Sequence, residues 1–145
     1  MLNISKDIKF DCAHMLSNYA GKCANLHGHT YHGTVTIYAY HVDSIHKMVL
    51  DYNDIKTVVD SYDHAVIVSH HSERDAAEEA LLEWAQKFNK KTYIMPDDNP
   101  KTTAECLAQD LATRLYALCN GAVTMVRVRL SETDGSWAEA EDGSL

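Results

Sequence analysis

A chain of 145 residues, 46% hydrophobic and 23% charged, can bury one sizeable core without staples. Its net charge of −8, with the histidines neutral, argues against a nucleic-acid partner, because neutralising phosphates needs a basic surface. No run approaches the roughly 20 apolar residues of a membrane helix, and the opening MLNISKDIKFD puts lysines and aspartates where a signal peptide is apolar. A cytoplasmic protein with no membrane partner is therefore expected.

From Ile4 to His14 the residues alternate, with Ile8, Phe10, Cys12 and His14 on one face and Lys9 and Asp11 on the other. Period two predicts a half-buried strand. NYAGKCANLHG follows as a loop. His29 to Tyr40 reads as a second strand, placing Tyr31, Val35, Ile37 and Ala39 on one side. Ile55, Val58, Val59 and Tyr62 then recur at helical spacing, with Asp51 or Asn53 as the cap and an end near SYDHAV.

Residues 72–90 read as a charged, alanine-rich peripheral helix, and TYIMP as a short strand. PKTTAECLAQDLATRLYALCNG is a further helix, capped at Thr102 or Thr103 ahead of Glu105. Leu107, Leu111, Leu115 and Leu118 form its buried stripe, and Gly121 stops it. AVTMVRVRLSET is the last strand, with Val126, Val128, Leu130 and Glu132 on one face. The order implies an α+β domain over residues 1–145, with helices packed on one sheet face.

CANLHGH concentrates the chemistry. His27 and His29, two apart, point to the same side of an extended chain, and Gly28 lets the backbone lie close to whatever they hold. His14 ends the apolar series of the first strand, so sheet pairing can bring it to the same place. Three imidazoles with no competing acid nearby suit zinc. Solvent-facing histidines, or one in a buried hydrogen bond, fit the spacing equally well. Cys23 divides the metal reading. As a fourth ligand its thiolate closes a structural site; standing off, it leaves an open position and is itself a base beside a cation.

The other cysteines, Cys12, Cys106 and Cys119, read as small packed thiols in a reducing compartment. Asp63-His64 is either a helix-terminal pair or a carboxylate orienting an imidazole for proton transfer. Glu132, on an apolar face, needs donors, supplied by a basic core residue or by a ligand with paired N–H groups such as an amino-pyrimidinone. His32, His41, His46, His70 and His71 read as surface or loop residues.

In order along the chain, FDCAH, CANLHGH, MVLDYNDIK, YDHAV, TAE and SETDGSWAE resemble the 6-pyruvoyl-tetrahydropterin synthase family, across residues 8–139. The spacing from Cys23 to His27 is similar to that of its 6-carboxy-tetrahydropterin synthase branch, which serves queuosine biosynthesis. The resemblance implies a tunnelling fold, an antiparallel sheet backed by helices, whose copies join into barrels, typically a hexamer of two stacked trimers. It assigns zinc to His14, His27 and His29, the general base to Cys23 with Asp63 and His64 assisting, and the pterin anchor to Glu132. Thr103 and Glu105 become further ring contacts, and sites shared between subunits are implied, so Cys23 and His64 need not come from one chain.

The implied substrate is 7,8-dihydroneopterin triphosphate. The family's basic residue after the first zinc histidine is Met15 here, which leaves Lys22, Lys9 or Arg129 for the triphosphate and opens the way to a less phosphorylated pterin. Residues 70–99 form a longer insert than the shortest members carry.

Overall fold

Alternation of the first residues produces a long strand, β1 (Leu2–His14), which buries Ile8, Phe10, Cys12 and His14. The computed structural model describes all 145 residues, and the elements that follow are β2 (His27–Ala39), α1 (Tyr52–Asp60), β3 (Ala65–Val68), α2 (Ala76–Lys87), β4 (Thr92–Ile94), α3 (Ala104–Leu118), β5 (Val123–Thr133) and β6 (Ser136–Gly143). They build one six-stranded sheet in the order β4-β3-β1-β2-β5-β6.

The expected antiparallel arrangement holds for β1, β2, β5 and β6, but β3 and β4 add in parallel, so the sheet is mixed. The physical reason is connectivity: parallel neighbours need a crossover, and α2 provides it between β3 and β4. AVIV of β3 is too short for its periodicity to distinguish strand from buried helix. In β6 the half-buried Ala138 and Ala140 alternate with exposed Glu139 and Glu141, an acidic edge strand that does not read as one from composition.

Capping sets the helix starts. Asp51 accepts from Asn53 N at 2.8 Å ahead of α1, and Asp75 accepts from Glu78 N at 2.9 Å, which starts α2 later than residue 72. Thr103 accepts from Cys106 N at 3.3 Å and is the cap of α3, while Thr102 is buried and donates to Met15 O at 3.1 Å. Leu107, Leu111 and Leu115 are buried as expected. Leu118 is 55% exposed, because the last residue of the helix projects past the core.

One polar knot ties the turn after α1, β4 and α3 together. Asp110, 3% exposed, receives the hydroxyls of Tyr62 at 2.5 Å and Tyr93 at 2.6 Å. Burial, then the Asp110 hydrogen bond, lifts Tyr93 to about 12, and burial with the Asp110 charge lifts Tyr62 further, so both phenols stay donors. Asp110→Ala orphans one buried and one half-buried hydroxyl and is expected to cost about 2–3 kcal/mol of unfolding free energy. Urea unfolding of the variant checks this, and an unchanged midpoint rules the knot out as a stabilising element.

Candidate functional site

Strand register assembles the imidazoles. In the β1–β2 ladder His14 lies opposite His27 and Cys12 opposite His29, and residues directly across an antiparallel pair share a face. His14, 2% exposed, gives Nδ1–H to Thr102 O at 2.7 Å, and His27 gives Nδ1–H to Asn25 O at 2.7 Å. Each bond fixes a tautomer and leaves Nε2 with a free lone pair. The two Nε2 atoms stand 3.1 Å apart, too close to be at ease unless something is held between them and their neighbours.

His29 completes the group. Its Nε2 is buried without a hydrogen bond, although Glu132 Oε1 lies 2.5 Å away off the line a ring N–H would take. Donor atoms of His14, His27, His29 and Glu132 all fall within 4.8 Å of one another. Burial lowers the His14 pKa to about 4, against the opposing pull of the Thr102 hydrogen bond, so this ring stays neutral and ready to ligate. An orphaned nitrogen and two pre-set tautomers fit a divalent cation of zinc type.

Cys23 is outside this group of donors. It sits half-buried on a single 3₁₀ turn, Lys22–Ala24, and its carbonyl accepts from Leu16 N at 2.8 Å, folding the loop back onto the end of β1. Its charge is felt at the hydroxyl of Tyr31, a residue on the imidazole face of β2. Burial raises the Tyr31 hydroxyl far above its usual range, and Glu132, Cys12, Glu105 and Cys23 around it raise it further. That hydroxyl is buried and unpartnered. The Cys12 thiol, on this face, is pushed up to about 12, chiefly by burial, and is inert as a base.

Asp63 and His64 occupy the turn after α1. His64 has φ of 57°, left-handed backbone in which its N–H reaches Asp11 O at 2.6 Å. Asp63 Oδ1 accepts from Asp11 N at 2.9 Å, and His64 Nδ1 meets Asp63 Oδ2 at 2.9 Å. The hydrogen bond from Asp11 N, ahead of that from His64, keeps the Asp63 carboxyl below its ordinary pKa, and His64 Nε2 is left open to solvent. This is the geometry of an oriented proton carrier.

The sequence matches the 6-pyruvoyl tetrahydropterin synthase family over residues 3–143. The chain belongs to that family. A 6-carboxy-5,6,7,8-tetrahydropterin synthase from Haemophilus influenzae is 38% identical, over 98% of this chain and 100% of that one. A putative synthase of the same name from Pyrococcus abyssi is 34% identical over 90% and 84%. Among solved structures, a 6-pyruvoyl tetrahydropterin synthase from Plasmodium falciparum superposes with a TM-score of 0.66, over 99% of this chain and 98% of that one, at 16% identity, a likeness of fold. As a 6-pyruvoyl tetrahydropterin synthase family member, the chain is an enzyme of lyase type.

For a synthase of this family the residues fall into three groups. His14, His27 and His29 meet as their spacing indicates, and Glu132 meets them too, so an acid stands beside the imidazoles where none was expected. Its nearest polar neighbour in the chain is the His29 imidazole, with which it makes no hydrogen bond. At Gly28 a Cβ would lie 3.3 Å from Cys12 O, so glycine accommodates the approach of β1 there. Glu105 borders a recess of about 110 Å³ with Glu132 and Trp137. Thr103 is committed to capping, and Lys22 is exposed beside Cys23.

The third group is Asp63 and His64, which gather with Asp11 in a cluster separate from the imidazoles. They flank Asp11, on the face of β1 opposite Cys12 and His14. Nothing in the sequence marks Asp11 as more than a solvent-facing residue, because an acid on the exposed face of a half-buried strand is the ordinary pattern there.

Proposed function

We propose that this family member converts 7,8-dihydroneopterin triphosphate to 6-carboxy-5,6,7,8-tetrahydropterin, consuming one water and releasing triphosphate and acetaldehyde, as a step toward queuosine. The observation that carries the reading is the convergence of three imidazole Nε2 atoms, two of them on rings whose Nδ1 is already committed to a carbonyl. The names of the H. influenzae and P. abyssi relatives support the carboxy product over its sister activities.

In this reading His14, His27 and His29 hold zinc within a single domain over residues 1–145, and the protein works in the cytoplasm. When bound, the ion supplies Lewis-acid polarisation of the substrate's side-chain oxygens. Cys23, half-buried, removes a proton from the side chain of the substrate. Asp63 orients His64, and His64 returns a proton elsewhere. Asp63 and His64 form a cluster of their own with Asp11, apart from the imidazole group, so in this reading the working site joins residues of two copies. A homo-oligomer, two stacked trimers, supplies that arrangement.

Glu132 receives the paired N–H groups of the pterin, with Glu105 and Thr103 beside it, and Lys22 meets phosphate charge. Incubation with 7,8-dihydroneopterin triphosphate, followed by aldehyde trapping and mass spectrometry, tests the reading. Acetaldehyde and the 6-carboxy product are expected in equal amounts. A 6-pyruvoyl product without aldehyde, or a hydroxyaldehyde fragment, assigns the chain to a sister activity instead.

A further inference from the structure

Asp11 makes more contacts with the acid–base pair than any role of β1 in the sheet requires. Its N–H donates to Asp63 Oδ1 at 2.9 Å and its carbonyl accepts from His64 N at 2.6 Å, so one residue grips both members by main chain. Its carboxylate is not left to wander. Thr30 Oγ1, directly across the ladder on β2, donates to Asp11 Oδ1. Held there, a carboxylate oxygen of Asp11 comes within 4.8 Å of ligating atoms on both Asp63 and His64. Asp11 and His64 line one cleft of about 430 Å³, with Gly28, His29 and Thr30 among its other walls.

We propose that Asp11 is the positioning residue of this acid–base pair: its main chain clamps Asp63 and His64 against β1, and its Thr30-anchored carboxylate is a second negative charge facing the imidazole. The inference rests on the reading of His64 as proton carrier, and it adds a carboxylate that this reading did not include. The chemistry is that of an imidazole between two acids. Asp63 Oδ2 holds Nδ1–H and sets the ring, and Asp11 adds to the field that favours the imidazolium.

The charged neighbours define how large the effect is. Asp63 faces His64 from its own turn and Asp11 from β1. Lys91, just before β4, donates to Asp63 O at 2.6 Å and opposes the two carboxylates. Lys9 is the next charge along the outer face of β1, and β2 contributes Gly28, Thr30 and the titratable His29 to the cleft. Asp11 and His64 are exposed, so solvent screens their attraction and the shift from removing one charge is modest.

Asp11→Asn isolates the carboxylate charge, because it keeps both main-chain bonds and a partner for Thr30. In the full-length protein, the His64 ring followed by NMR is expected to lose its proton at a lower pH in this variant than in the wild type. The limb of the kcat profile that reports His64 moves with it, KM changes less than twofold, and Asp11→Glu restores the wild-type titration. Should Asp11→Asn not fold, Thr30→Val, which frees the carboxylate, moves the titration the same way by a smaller amount. An unchanged His64 titration in either folded variant overturns the proposal. His64→Ala separates the two readings: full turnover in that variant removes His64 from the mechanism, while the NMR shift still judges Asp11.

Discussion

Cys23→Ala is expected to lower kcat by about 10²–10⁴-fold, the usual worth of a positioned base, while zinc stays near one ion per chain. The structure gives two reasons to expect both halves of that result. Sulfur is outside the group of four donors that lie within 4.8 Å of one another, so its removal takes nothing from the cation. What Cys23 does for the fold passes through its carbonyl, which accepts from Leu16 N at 2.8 Å and is kept by alanine. Turnover and metal content measured on the same preparation decide the matter. A variant that loses its zinc makes Cys23 a ligand and closes the coordination sphere. A variant that keeps both zinc and turnover passes the base role to another group; Cys12, with its thiol pushed up to about 12, is a poor successor.

Much of this site is legible in the sequence because strands translate spacing into direction. The parity of Phe10, Cys12 and His14 and of His27, His29 and Tyr31 fixes which way each side chain points, and one register then brings the rings together. Glu132 was readable as a carboxylate on an apolar face. Its approach to His29 was not, because it depends on how β5 lies beside β2, and pairing between segments about a hundred residues apart leaves no local trace. The same limit hid the parallel strands. β3 carries four residues and β4 three, too few for a period, and their places come from α2 crossing between them. Asp63 and His64 were visible as a pair, while the face on which they sit is set by two hydrogen bonds to Asp11, far away along the chain.

The donor set itself is tested by comparing His27→Ala with Glu132→Gln. His27 is the better choice for removing a ligand: it is half-buried, and its loss frees only Asn25 O near solvent, whereas loss of the buried His14 strands Thr102 O in the interior and confuses ligation with folding. Losing a hydrogen bond behind a ligand already costs about 10–100-fold in metal affinity, so losing the ligand is expected to exceed that and to abolish turnover. Glu132→Gln is expected to leave zinc content unchanged and to raise KM for the pterin at least about tenfold, because a carboxylate that accepts two N–H groups has become an amide that offers one acceptor. Dialysis against a zinc buffer, with metal read by atomic absorption, compares the two variants directly. If Glu132→Gln sheds zinc as His27→Ala does, the carboxylate 2.5 Å from His29 Nε2 is a ligand, no position is open to substrate, and the lyase mechanism drawn from three imidazoles fails.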